Sequence, residues 1–399
     1  MTVQSHAVSH VDRMHAAAVE SLRRCCHSYG MTASGQTIGH HQIWARDSMV
    51  SVLGGVLTKD EQILDALRAS IGALRAAQAP NGCIPNNIDP ETNRPNFRAY
   101  ADGGLWWIIG SSLIDPDPVT TKRILSWYEC QDVDQSGLIS MQESADWQDL
   151  FCTRGKGLYL NCLYVLALEA AARILPAESV PLIAKADVVR EKINTYLWYA
   201  GDGNMLPAVA HTFSTDVSAA QDSLGRKRWR PRKHLLSAQS YYLPYLSFRT
   251  PGEWFDTLGH LLAILAGVAH GERKDIAFEF IGANGIAAHP AMSLYPAIHP
   301  GWTDWRPYYG MLNTPHHYHN GGIWPFIGGF YIAALVHDGR KAEAVAALER
   351  LARLNQAGGF NEWHHGVTAE PKGVRDQAWS SAMYIHAWHA VHGTTTVLW

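Results

Sequence analysis

The stretch Asp60–Ala77, "DEQILDALRASIGALRAA", decides the fold class. Ile63, Leu64, Leu67, Ile71 and Leu74 recur at three- and four-residue steps, the spacing that gathers apolar side chains on one face of a helix. Arg340–Gln356 repeats the pattern with Val345, Leu348, Leu351 and Leu354. Outward from these two, periodicity predicts helices over Val11–His27, Trp44–Leu57, Gly103–Leu113, Val119–Cys130, Gly157–Ile174 and Pro181–Trp198. It predicts further helices over Ser237–Leu246, Glu253–Ala269, Lys274–Ile281, Trp324–His337 and Asp376–Val391. Convincing strand runs are few. Gly and Pro collect between the helices, as in "APNGCIPNNIDPETNRP" and "HPGWTDWRP". A dozen helices separated by long polar loops is what six helical hairpins produce. The expected architecture is all-α, an (α/α)6 barrel (a six-hairpin toroid) forming one domain over residues 1–399. A solenoid of helix pairs is the competing arrangement, because periodicity does not specify closure.

Composition narrows the function. Hydrophobic residues make up 47% of the 399 and charged residues 17%, the balance of a chain with a large buried core. A formal net charge of −3 gives no reason to expect nucleic acid or an anionic membrane as partner. The six cysteines form no CxxC pair, and they read as reduced thiols of a cytoplasmic protein. The N-terminus carries no basic segment followed by an apolar run, so no secretory signal is expected. The longest apolar stretch, around Leu261–Val268, is far short of a membrane span. The 15 Trp and 16 Tyr supply flat apolar faces with a polar edge. That suits a carbohydrate surface and a large aromatic core about equally.

No HExxH, GxSxG, P-loop or GxGxxG is present, which removes support for zinc hydrolysis, serine acyl transfer, nucleotide hydrolysis and Rossmann redox chemistry. Asp132, Asp134, Ser136, Gly137, Ile139 and Glu143 fall at calcium-loop spacing. The alternative is a polar Asp/Gly turn, and no metal or cofactor is expected. The basic run Arg226–His234 reads as a solvated loop.

The carboxylates say more. Asp102 in "YADGGLWWII" precedes two glycines and an apolar helix carrying Trp106; taken alone it is a helix cap. Glu362 in "GGFNEWHHGV" lies in a loop crowded with aromatic and imidazole groups. Two carboxylates across an aromatic cleft are the minimum apparatus for glycoside hydrolysis. Arg46 and Asp47, beside Trp44 in "WARDSM", can fork-bond sugar hydroxyls or pair with each other. Asp146, Trp147 and Asp149 in "ADWQD" are similar in type. In "HHYHNGGIWP", Trp324 offers an apolar face beside His317, His319 and Asn320, a grouping that can be a metal cage, a proton-transfer site, a sugar platform or a well-packed turn. Gln377 and Trp379 stand in "DQAWSSAMY".

Four ordered segments, "YADGGLWWII", "FDTLGHLLAI", "YHNGGIWP" and "FNEWHHG" followed by "DQAWSSAMY", resemble segments of alkaline/neutral invertases of glycoside hydrolase family 100. The segments "WARDSM", "GCIPNN", "DVDQSGLI" and "ADWQD" are similar to the glucosidase domain of glycogen-debranching enzymes. The resemblance implies an (α/α)6 barrel and inverting hydrolysis of an α-glucoside, sucrose first. It implies Asp102 as general acid, Glu362 as general base, Arg46 and Asp47 as holders of the glucosyl unit, a sugar-pocket lip at His317, His319, Asn320 and Trp324, and Gln377 and Trp379 in the substrate-binding set. This chain departs from the invertase pattern at Gly103, Ile323, Asn361 and Trp363. Another small α-glucoside, cleaved as by an α-1,6-glucosidase or a trehalase, is the near alternative. A sugar epimerase using the paired histidines His317/His319 and His364/His365 is the rival from another class, and a carbohydrate-binding barrel without turnover is a third. The expected partners are a small oligosaccharide or glucoside and, as a further option, a second copy of the chain in a homo-oligomer.

Overall fold

Asp60 caps its helix: its side chain accepts from the Ile63 amide, and Glu61–Ala76 buries Ile63, Leu67, Ile71 and Leu74. This is a computed structural model, and it describes residues 9–36, 40–201, 217–221, 224–225, 227–231, 236, 238–247 and 251–393. In chain order the helices are α1 His10–Arg24, α2 Ala45–Thr58, α3 Glu61–Ala76, α4 Gly103–Ile114, α5 Pro118–Glu129, α6 Leu158–Ile174 and α7 Ser179–Tyr196. Then follow α8 Thr257–Leu265, α9 Glu272–Ala283, the short α10 Tyr309–Leu312, α11 Pro325–His337, α12 Lys341–Gly358 and α13 Ala378–Val391.

Two kinds of helix alternate. Helices α2, α4, α6, α8, α11 and α13 are buried almost all round; every residue of α8 is buried. The helices between them bury one stripe, such as Ala186, Val189 and Ile193 of α7. A helix apolar on all sides belongs inside, and one with a single apolar stripe belongs outside. The packing agrees. Helix α2 touches α4, α4 touches α6, α6 touches α8, α8 touches α11, α11 touches α13, and α13 returns to α2. Helix α3 lies against α2, α7 against α6, α12 against α11, and α1 against α13. The approach of α2 and α13 is close enough that a Cβ on Gly54 would lie 1.9 Å from the Ala382 carbonyl oxygen.

Antiparallel strands of two or three residues join the segments that lead into the inner helices. Ile43–Trp44 pairs with Asn87–Asp89, and Asn87–Asp89 with Arg94–Asn96. Lys156–Gly157 pairs with Tyr245–Leu246, Phe255–Asp256 with Leu294–Tyr295, and Trp363–His364 with Pro371–Lys372. These ladders explain two departures from periodicity. In the expected helix Ser237–Leu246, Tyr241–Tyr242 pairs with Trp198–Tyr199, and Tyr245–Leu246 is also strand. The expected helix Glu253–Ala269 is confined to Thr257–Leu265, because Phe255–Asp256 is claimed by its ladder.

Lys227–Pro231 of the basic run pairs with Val217–Gln221, and the remainder of that run lies outside the described residues. The calcium-like loop is tied internally. Asp132 accepts from the Ser136 and Gly137 amides, Asp134 pairs with Lys156, and Glu143 pairs with Arg154 and Arg306. Among the described residues no cluster suited to a metal ion is found. The six cysteines are free thiols. No described helix is long and apolar enough to cross a membrane.

Candidate active site

The inner helices all start at one end, and a cavity of about 460 Å³ opens there. Segments far apart in sequence supply its wall. Trp44, Arg46 and Asp47 come from the start of α2, and Trp147 and Asp149 from the segment before α6. His319 and Trp324 precede α11, while Glu362, Gln377 and Trp379 surround the entry to α13. Sequence reasoning nominated every one of these residues.

Aromatic rings form much of the wall. His319 stacks on Trp324 with centroids 5.2 Å apart and planes at 2°. Trp147 stands perpendicular to both. Trp379 stacks on Phe326 at 4.1 Å. Several buried polar atoms here lack a protein partner, among them Trp44 Nε1, Trp379 Nε1, Arg46 Nε and Gln377 Oε1. Buried polar groups are normally hydrogen-bonded. A flat apolar wall bordered by Arg46, Asp47, Asn86, Asn96 and Gln377 matches the two faces of a sugar: C–H surfaces and equatorial hydroxyls.

Glu362 is buried at the base of the Trp363–His364 hairpin. That hairpin is pinned to the approach of α11 by reciprocal bonds between Ile323 and His364 at 2.8 and 2.7 Å. Tyr318 Oη donates to Glu362 Oε1 at 3.4 Å, and the Val374 amide lies 3.4 Å from Oε2. Burial raises the Glu362 carboxyl above its ordinary range, and His40, 4.0 Å from Oε2, pulls the other way. Gly373 closes over this group. A Cβ there would lie 2.4 Å from Glu362 Oε2, at a φ of +69°. Gly373→Ala is therefore expected to displace this carboxylate, and any turnover that depends on its placement should fall at least about tenfold. Steady-state kinetics beside a thermal melt that stays within a few degrees of wild type would check this.

Asp102 occupies a different position. It has no exposed surface and does not line the cavity. Arg46 Nη1 donates to both its oxygens at 2.8 Å, and Tyr159 Oη donates to Oδ2 at 2.8 Å. Trp106 Nε1 in turn donates to the Tyr159 oxygen at 2.7 Å. Asp102, Tyr159 and Trp106 thus form a buried chain behind the cavity whose end, Arg46, faces it.

Asp149 does line the cavity, and His319 Nε2 lies 3.5 Å from its Oδ1. Burial raises the Asp149 carboxyl, but His319, Arg46 and Arg98 outweigh it, so its pKa lies below the usual range. Burial lowers that of His319.

Three further nominated residues also stand outside the cavity wall. Asp146 is fully buried with Oδ1 on the Gln148 amide; burial and nearby Asp102 raise it to about 8. Asn320 spends its side chain on Ile298 and Asn313, so it holds a turn. His317 packs against His365 and Trp363. Sequence reasoning missed His40, Asn86, Asn96, Arg98, Tyr318 and Trp363, all in the wall. Tyr318 and Trp363 sat inside the quoted segments. Asn96 and Arg98 carry no local signal, since the strand pairing of Asn87–Asp89 with Arg94–Asn96 brings them in.

Residues 233–393 match the family model of alkaline and neutral invertases. The C-terminal part of the chain is invertase-like. That invertase-like part carries Trp324, Glu362, Gln377 and Trp379, whereas Arg46, Asp47, Asp102 and Asp149 precede it. Alkaline/neutral invertase E, chloroplastic, of Arabidopsis thaliana is 31% identical over 141 residues, covering 33% of this chain and 22% of that protein. Neutral/alkaline invertase 1, mitochondrial, of Oryza sativa subsp. japonica is 28% identical over 165 residues, covering 39% and 25%. The match thus spans about a quarter of the length of these relatives. Among solved structures, the family 63 mannosylglycerate hydrolase of Thermus thermophilus, in complex with glucose, superposes with a TM-score of 0.61 at 15% identity. The superposition covers 94% of this chain and 99% of that one. A bacterial glucoamylase complexed with acarbose gives 0.61 at 14% identity, over 97% and 56%. These two likenesses concern the fold.

Proposed function

We propose that this protein is an inverting glycoside hydrolase acting on a small α-glucoside and built as an (α/α)6 toroid. The closed succession of inner helices and the likeness to solved glycosidases support the toroid. The observation that carries the activity is that Glu362 and Asp149 face one aromatic-walled cavity. Glu362 acts as general base. It takes a proton from water as the water oxygen bonds to the anomeric carbon, and the bond from that carbon to the leaving oxygen breaks. A base whose pKa burial raises toward the working pH is matched to that task.

The proton for the leaving oxygen is assigned to Asp149 in place of Asp102. Asp102 has neither exposure nor an unengaged oxygen, and its role is to orient Arg46 toward the glucosyl unit. Asp149 needs a higher pKa than its present neighbours give it. A leaving group seated against it removes water and strengthens the effect of burial, the direction a proton donor requires. The epimerase reading loses its apparatus, because His317, His364 and His365 do not line the cavity.

Sucrose, the substrate the invertase resemblance nominates, is the first member of a panel with trehalose, isomaltose, maltose and glucosylglycerate. Proton NMR in the first minutes is expected to show β-glucose released from an α-glucoside, because water enters opposite the leaving oxygen. Initial α-glucose would move Glu362 from base to nucleophile, and an unchanged substrate mass with a new epimer would sink hydrolysis altogether.

A further inference from the structure

The cavity does not end at Asp149. A second chamber of about 490 Å³ continues outward from it, sharing Arg98, Asp149, Leu150 and Leu312 with the first. If Asp149 protonates the leaving oxygen, the inner chamber holds the glucosyl unit and the outer one holds the leaving part. The lining of the outer chamber is therefore a statement about that part.

Most of its polar side chains are already committed. Glu143 is bonded to Arg154, Arg306 and the Tyr308 hydroxyl. Ser144 donates to the Phe151 carbonyl. Asn313 donates to the Leu150 carbonyl and accepts from the His319 amide. Much of the rest is apolar, with Leu150, Met311 and Leu312 in the wall. Arg98 differs. It is exposed, borders both chambers, and among the described residues makes no side-chain hydrogen bond or ion pair within 4 Å, acting on Asp149 only through space. A neutral polyhydroxylated leaving group needs several donors and acceptors to replace the water it loses, and this chamber has few to give. An anionic group needs one well-placed cation, and a guanidinium presents paired N–H groups that match a carboxylate or a phosphate.

We infer that the leaving part of the substrate carries an anionic group, a carboxylate or a phosphate, and that Arg98 binds it. This rests on the α-glucosidase reading and specifies its substrate class.

Matched pairs test it. Glucosylglycerate and glucosylglycerol differ by a carboxylate, and sucrose 6′-phosphate and sucrose by a phosphate. On the 399-residue chain, kcat/KM for the anionic member of at least one pair is expected to exceed that for its neutral partner by about ten- to a hundredfold, the range for a hydrogen bond to a charged group. The pair that shows the preference identifies the anion. The preference should shrink with added salt, since Arg98 is exposed. Arg98→Gln should bring the ratio close to one, and Arg98→Glu should invert it. Equal rates within both pairs, or a preference that survives Arg98→Gln, overturns the inference while leaving glucosidase activity intact. If no pair is hydrolysed, the glucosidase reading is what fails. Titration calorimetry then decides on binding alone: glycerate and fructose 6-phosphate against glycerol and fructose, with wild type and Arg98→Gln. No anion preference there also overturns the inference.

Discussion

Glu362→Gln is expected to lower kcat on the native glucoside by about 10²–10⁴-fold, the usual contribution of a positioned general base, with little change in KM. Glutamine keeps the shape and still meets Tyr318 and the Val374 amide, but it cannot take a proton from water. The wild-type pH profile carries the same signature. Burial raises Glu362, so the acidic limb of kcat/KM should lie above the ordinary glutamate range, with activity lost as pH falls through the raised pKa. That limb should be absent from the residual activity of Glu362→Gln. Near-native turnover in the variant would remove Glu362 from the chemistry.

Asp149→Asn and Asp102→Asn are expected to fail in different ways, and the leaving group separates them. A proton donor matters most when the leaving oxygen is basic. With an ordinary sugar leaving group, Asp149→Asn should lose about 10²–10⁴-fold in kcat. With α-glucosyl fluoride, whose leaving group needs little protonation, it should recover most of the wild-type rate. Asp102→Asn acts through Arg46. Exchanging a carboxylate for an amide weakens the charged contact at 2.8 Å and leaves the buried guanidinium short of its counter-charge. Breaking a buried pair costs about 3–5 kcal/mol. That loss should appear as a lower melting temperature and a deficit of similar size on both substrates. A fluoride-rescued Asp102→Asn beside an unrescued Asp149→Asn would return the acid role to Asp102.

The difference between these two aspartates shows what the sequence conveys and what it withholds. Asp102 stands directly before α4, and Asp149 lies in the longer segment before α6. Local sequence reads the first as a helix cap and the second as a sugar-binding group, and neither reading shows that Asp102 is buried behind Arg46 while Asp149 borders the cavity. Glu362 was legible because its whole neighbourhood, from Gly358 to His365, is unlike a solvated loop. The inner helices were legible because their apolar runs are long and bounded by Gly, Pro or Asp. The stretch Ser237–Leu246 misleads because its closely spaced tyrosine and leucine residues satisfy a helical or an extended pattern equally, and the partner Trp198–Tyr199 lies too far away in sequence to arbitrate. Arg98 and Asn96 were invisible for the same reason: a strand pairing, rather than a local motif, carries them to the cavity.

The shared direction of the inner helices has an electrostatic result. The amino-terminal ends of α2, α11 and α13 border the cavity, each equivalent to about half a positive charge. Left alone, that field would oppose glycoside cleavage, whose transition state develops positive charge on the sugar ring. The chain places acidic groups where the field is strongest. Asp102 and Asp256 stand at the caps of α4 and α8, Asp47 lies in the first turn of α2, and Asp149 and Glu362 border the cavity itself. Together they oppose the positive potential that these ends set up at the ring. By this account, the carboxylates that never touch the substrate let an architecture suited to holding anions host a cation-like transition state.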